Sequence, residues 1–256
     1  VTPFVMEDHF APYIKDNQQN FDKPETVNYW QEQMRKAAGL QAQTGKGHST
    51  QLLSLPIPTD HYKALRSYAK TFKITPPLYF KCIYALLIQH YTRTENNFIV
   101  TEFQAGRNKL NKDSLGCFYH TNPTAIDIES LNGSIADLFS SARDQQKSIR
   151  EHLQISHLKQ LQLMPPSAVY FSFNYLMMPH YTEMLGETLQ GTRYTPNAEG
   201  AVDLRVQAFG DELCLWLAYN TQLFDDKYFL QRLLHISEQL ISGNIENTQQ
   251  LDFTLP

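Results

Sequence analysis

The sequence predicts an α/β fold of two layers, a mixed sheet with helices mainly on one face, and three observations lead there. A strand-like run, Phe118 to Ile128, is preceded by a second strand at Phe98–Phe103 and followed by a long amphipathic helix from Ser134. A helix from Pro76 to about Arg93 is apolar on most sides, which suits a central helix buried against a sheet. Val202–Ala208 alternates with its apolar side chains on even positions and returns through Gly210-Asp211 to Leu213–Tyr219, a hairpin with one buried face.

A chain of 256 residues, 42% hydrophobic and 19% charged, holds one large domain or two small ones and buries a full core. Its formal net charge of −4 excludes a strongly basic nucleic-acid binder and carries no membrane-surface signature. No apolar run approaches the ~20 residues of a membrane span; the longest, around Cys82–Ile88, reads as part of the buried helix. Cys82, Cys117 and Cys214 lie singly in apolar segments without paired spacing, as expected of reduced structural thiols in a cytoplasmic protein. Val1-Thr-Pro-Phe4 has neither a charged start nor an apolar run and does not read as a signal peptide. Beginning with valine, the chain is expected to be cut from something longer.

Taken in order, residues 1–23 show no clear period and read as a lead-in. Pro24 and Glu25 open a helix with Val27, Trp30, Met34 and Ala38 on one side and Gly39 as its stop. Gln41–Thr50 is a polar loop, and Leu52–Pro58 a strand whose prolines favour a sheet edge or a strand end. Asp60 suits the cap of a helix with a Leu65, Tyr68, Ala69, Phe72 stripe, and Thr75 the cap of the central helix, with Pro76 in its first turn. Ser134-Ile-Ala-Asp137 has the form of a capping box, and Ile135, Leu138, Phe139, Ala142, Ile149 and Leu153 line one face behind it. A shorter helix, Ile155–Leu163, stops at Pro165-Pro166, and Ala168–Leu176 reads as a fully buried strand. Residues 177–200 lack a period and suit a long functional excursion. Asp225 or Asp226 starts the last helix, and Gly243 follows it.

Few of the motifs that carry chemistry are present. His152 and His157 are five apart, which does not align two ligands on a helix turn, and no metal site is expected. There is no nucleophile elbow, phosphate loop or dinucleotide glycine fingerprint. Arg107, at a strand end, suits pairing with a local carboxylate or carbonyl. None of the nine histidines has a neighbouring histidine or a trailing Asp-Gly.

Leu115-Gly-Cys-Phe-Tyr-His-Thr121 resembles the Ile/Val-Gly-x-Phe-Val-Asn-Thr box of condensation domains in nonribosomal peptide synthetases. Asn28-Tyr-Trp-Gln-Glu-Gln33, Phe171-Ser-Phe-Asn174 and Phe224-Asp225 are similar to further segments of that family. The resemblance covers residues 25–256 and the second half of such a domain only. It implies a fold of the chloramphenicol-acetyltransferase type, with residues 1–24 as an interdomain lead-in and 25–256 as the C-terminal subdomain. It further implies that Asn174, His120 and Thr121 border the channel where carrier-bound acyl or peptidyl and aminoacyl thioesters meet. The partners it implies are the N-terminal half of the domain, carrier proteins and adjacent synthetase domains, with no nucleic acid or membrane. Substrates arrive on phosphopantetheine arms, and no bound cofactor is expected.

The sequence departs from the family at His120, which replaces an asparagine, and at Ala125, where an arginine is common. The family's His-His-x-x-x-Asp-Gly motif, its source of acid–base chemistry, is absent from these 256 residues. No catalytic residue is therefore assigned, and the isolated chain is expected to be inactive. The alternatives are a non-catalytic module that holds a carrier protein or a neighbouring domain, and an ester-forming acyltransferase of the same superfamily.

Overall fold

A period of two in the strands and a helix apolar on most sides decide the architecture. The structure, a computed structural model, describes residues 10–37, 50–105, 119–164, 171–178, 202–209, 211–221 and 226–255. One six-stranded sheet is formed by β1 (Thr50–Ile57), β2 (Phe98–Ala105), β3 (Tyr119–Ile126), β4 (Phe171–Met178), β5 (Val202–Phe209) and β6 (Glu212–Asn220), in the order β1-β6-β5-β4-β2-β3. The β2–β4 and β4–β5 pairs are parallel and the other three antiparallel, so the sheet is mixed. β1 lies at an edge, where Pro56, opposite Cys214, is tolerated without an N–H to donate outward.

The larger core fills one face of this sheet. Phe98, Val100, Phe171, Phe173, Val202, Leu204, Val206 and Leu215 meet α3 (Thr59–Thr71), α4 (Pro76–Thr92), α6 (Ile135–Glu151) and α8 (Phe229–Ile241) there. Every residue of α4 from Leu78 to Ile88 is buried, Lys81 included, so it is the central helix its composition predicts. Burying each large apolar side chain contributes roughly 1.5–3 kcal/mol, which places most of the fold's stability here.

On the second face, α2 (Pro24–Lys36) covers the β2–β3 end of the sheet. Trp30, Met34 and Ala37 pack with Ile99 and Ala125, together with Ile149 and Ile155. The strands obey alternation: Ile99 belongs to this smaller cluster while its neighbours Phe98 and Val100 belong to the larger one.

Several element starts differ from expectation. A helix, α1 (Phe10–Asn20), lies within the segment read as a lead-in. The turn after it is tied down, since Asp22 accepts from Ser156 N at 2.8 Å and from Ser156 Oγ at 2.6 Å. Pro58, not Asp60, occupies the N-cap of α3, and Thr75 caps α4 by backbone position without a side-chain hydrogen bond. β3 ends at Ile126 because Asp127 Oδ1 accepts from Glu129 N and starts the short α5 (Ile128–Leu131). Ser134 does cap α6, its Oγ accepting from Asp137 N at 3.0 Å. Ser156 caps α7 (His157–Leu163), which shortens that helix from the expected Ile155. α8 begins at Phe229, with Asp226 accepting from Tyr228 N and paired to Arg232, and Gly243 follows it at φ +74°. The Leu115–Phe118 part of the box, Arg107, Pro165-Pro166, residues 179–200 and Phe224-Asp225 lie outside the described residues. Among the described residues no helix is long and apolar enough to cross a membrane.

Candidate functional site

Because Phe171 and Phe173 of β4 point into the core beneath α4, alternation turns Ser172 and Asn174 to the second face. The fully buried strand expected here is therefore buried on one face, with Ser172 and Asn174 half-buried. In the sheet register Asn174 pairs with Arg205, Arg205 with Trp216, and Trp216 with Ser54. Toward the other edge, one step past the Glu102–Phe173 pair, Phe103 stands beside Asn174, and Phe103 pairs with Thr121. A single row thus crosses the second face: Thr121, Phe103, Asn174, Arg205 and Trp216.

The charged members of this face are held by one carboxylate. Asp203, 8% exposed, accepts from Ser172 Oγ at 2.8 Å and from Arg205 Nε at 3.2 Å. That geometry fixes the direction of the guanidinium with a charge-assisted bond. Trp216 Nε1 is buried and has no hydrogen-bond partner among the described residues. Thr121 Oγ1 donates to Gln160 Oε1 at 3.4 Å and lies 3.3 Å from His157 Nδ1, both on α7. Amide, guanidinium, indole N–H and hydroxyl groups together suit hydrogen bonding to carbonyls and amides.

Of the three residues the sequence singles out, Asn174 and Thr121 share this face and His120 does not. His120 alternates to the opposite side of β3, with Nε2 3.1 Å from Tyr13 Oη and its ring against the edge of Phe21. Ser172, Asp203, Arg205 and Trp216 were missed. The signal for two of them was present: Asp203 and Arg205 occupy odd positions of a strand whose even positions are apolar. Among the described residues there is no group of three metal-ligating side chains.

Burial lowers the pKa of His120, and likewise that of His61 and His90. Folding therefore favours their neutral forms. The stability they contribute is complete above the unfolded histidine value near ~6.5 and is lost as pH falls through each depressed folded value. The urea midpoint is expected to fall between pH 7 and pH 5, with a shallower slope in His120→Gln. An unchanged slope in that variant would show that His120 is equally solvated in both states.

The profile of the condensation domain family matches residues 2–255. No curated protein sequence matches the chain. Its fold is similar to part of a four-domain nonribosomal peptide synthetase solved with AMP and glycine bound, with a TM-score of 0.80 at 16% identity over 100% of this chain. It is also similar to the condensation domain of the monacolin K polyketide synthase MokA (TM-score 0.77, 12% identity, 96% of this chain). A third similar structure is the X-domain from teicoplanin biosynthesis (TM-score 0.69, 14% identity, 94% of this chain). The chain spans 22%, 64% and 60% of these three proteins, respectively.

Proposed function

Since this chain belongs to the condensation domain family, we propose that it is the C-terminal half of a nonribosomal peptide synthetase condensation domain. Residues 25–256 then form the subdomain and residues 1–24 its lead-in. The observation that carries this reading is the row on the second face of the sheet, with Asn174 at its centre and a polar group at every position but Phe103. Such a row suits one wall of a channel in which an acyl or peptidyl thioester meets an aminoacyl thioester.

The wall's part is to orient. Asn174 offers an amide to a thioester carbonyl or the attacking amine, and the Asp203–Arg205 pair beside it keeps a fixed polar surface along the channel. Thr121 extends the same face toward the sheet edge. The acid–base group belongs to a His-His-x-x-x-Asp-Gly motif that these 256 residues do not contain, so an N-terminal half supplies it. Carrier proteins deliver both substrates on phosphopantetheine arms, and adjacent synthetase domains flank the module.

Amide formation between two loaded carrier proteins tests this. The chain alone is expected to give no product above the uncatalysed rate. A domain completed with a histidine-bearing N-terminal half is expected to turn over, and Asn174→Ala to lower its kcat about 10²-fold with an unchanged Tm. Turnover by the chain alone, or full turnover by the completed Asn174→Ala domain, would overturn the channel-wall role.

A second reading, a non-catalytic interaction module, is favoured by the missing histidine motif together with the similarity to an X-domain solved in complex with OxyB (TM-score 0.70, 14% identity). Retention of a carrier protein by a completed domain that forms no amide would select it.

A further inference from the structure

β1 has β6 on one side and, among the described residues, no strand on the other. Pro56 decides which of its backbone groups face outward. Proline has no N–H, so the pair of Pro56 with Cys214 is a non-hydrogen-bonded one. Antiparallel pairs alternate in type along the ladder. Leu53 and Leu55 therefore bond to β6, while Thr50, Leu52 and Ser54 turn N–H and C=O away from it.

Such an edge is a template for another strand, and proteins commonly guard it with charge, proline or a bulge. β1 is guarded only at its end, by Pro56 and Pro58. From Thr50 to Pro58 the sequence carries no charged side chain, and Leu52 is 38% exposed. Leu53 and Leu55 pack against the larger core, so alternation puts Leu52 and Ser54 on the second face.

A strand that fits this edge is extended and uncharged, offers backbone donors at every second residue, and is apolar opposite Leu52. β1 meets each of these conditions itself. In an antiparallel pairing about a two-fold axis at Leu52, that leucine faces its own copy and Thr50 faces the partner's Ser54. Each such pair exchanges two N–H···O=C bonds. This register keeps Pro56 outside the ladder and lets the two exposed leucines cover one another. It also brings no like charges together across the axis, although each chain carries a net charge of −4.

We propose that β1 is an interface between two copies of this chain, joining their sheets edge to edge into one continuous sheet. The contact is confined to the length of one strand, which places it with weak, reversible encounters of less than about 1,200 Å². It is independent of the proposed channel wall, since β5 and β6 stand between β1 and Asn174 on β4.

The test is sedimentation equilibrium of the full 256-residue chain, with amide hydrogen exchange on the same samples. Concentrations from about 5 to about 500 μM span the affinities of weak interfaces. A reversible dimer is expected, with exchange at the Leu52 and Ser54 amides slowing as concentration rises. Leu52→Lys sets two like charges opposite one another and is expected to raise the dimer Kd about tenfold or more. Ser54→Pro removes an outward donor without touching the ladder to β6, and is expected to raise Kd several-fold. Leu161→Lys, at an exposed leucine of α7, is the control and is expected to leave Kd unchanged. The inference is overturned by a monomer at every concentration, whether or not the β1 amides are protected. It is also overturned by a dimer that both β1 variants leave intact, or by one that Leu161→Lys weakens equally.

Discussion

Lys81→Met is expected to destabilise the protein by about 3–5 kcal/mol, because it leaves the Glu102 carboxylate buried without its counter-ion. In a chain of this size that corresponds to a loss of roughly 6–20 °C in Tm. Thr124 continues to donate to Glu102 but carries no charge to offset it. The double variant Lys81→Met with Glu102→Leu is expected to recover most of the loss, since an apolar pair of similar volume needs no desolvation of charge. Calorimetry on both variants distinguishes the components. A loss below about 1 kcal/mol in the single variant would mean that the charge pair behaves as a surface pair does.

Trp30→Ala is expected to cost about 3–5 kcal/mol, the range for removing a buried aromatic side chain. Trp30 is 1% exposed at the centre of the second-face cluster, and its Nε1 donates to His152 O at 2.8 Å. Tyr29 stacks on the His152 ring at 4.3 Å, so the same stretch of chain is gripped twice. Trp30→Phe keeps most of the apolar contact and orphans the carbonyl, with an expected cost of about 1–3 kcal/mol. Urea unfolding of the two variants orders these terms. Near-wild-type stability in Trp30→Ala would show that α2 is an attachment to the domain rather than part of its core.

Where the residues declare their own environment, the fold was legible. The even positions of Val202–Ala208 mark a buried face, and the unbroken apolar run of α4 marks a central helix. The prolines near Ile57 mark an edge strand. Asp127 has the residue type of a cap before Ile128, but the strand pattern that starts at Phe118 runs through it and hides that start. α1 offers no such marker: Phe10-Ala-Pro-Tyr-Ile-Lys is helical through contacts such as that of Tyr13 with His120, which no local period encodes.

The site was legible only in part, for the same reason. Asn174 and Thr121 were singled out by a family resemblance, but their common row exists because β2 and β4 are sheet neighbours. The Lys81–Glu102 pair joins a helix to a strand at a position where nothing nearby announces a partner. Polar positions on alternating strands, Ser172 and Asp203 among them, are the one local clue to a polar second face.

The place of β1 in the sheet has a consequence for how the chain acquires its structure. Among the described residues Thr50–Ile57 pairs only with β6, so Thr50 must find Asn220 across about two-thirds of the chain. The entropy of closing so large a loop is not offset until the final hairpin exists. On a ribosome, β1 and the apolar surface of α4 are made early and wait for β5 and β6 to emerge. Folding is thereby slow and dominated by distant contacts, and the waiting chain is at its most aggregation-prone before the last hairpin is complete.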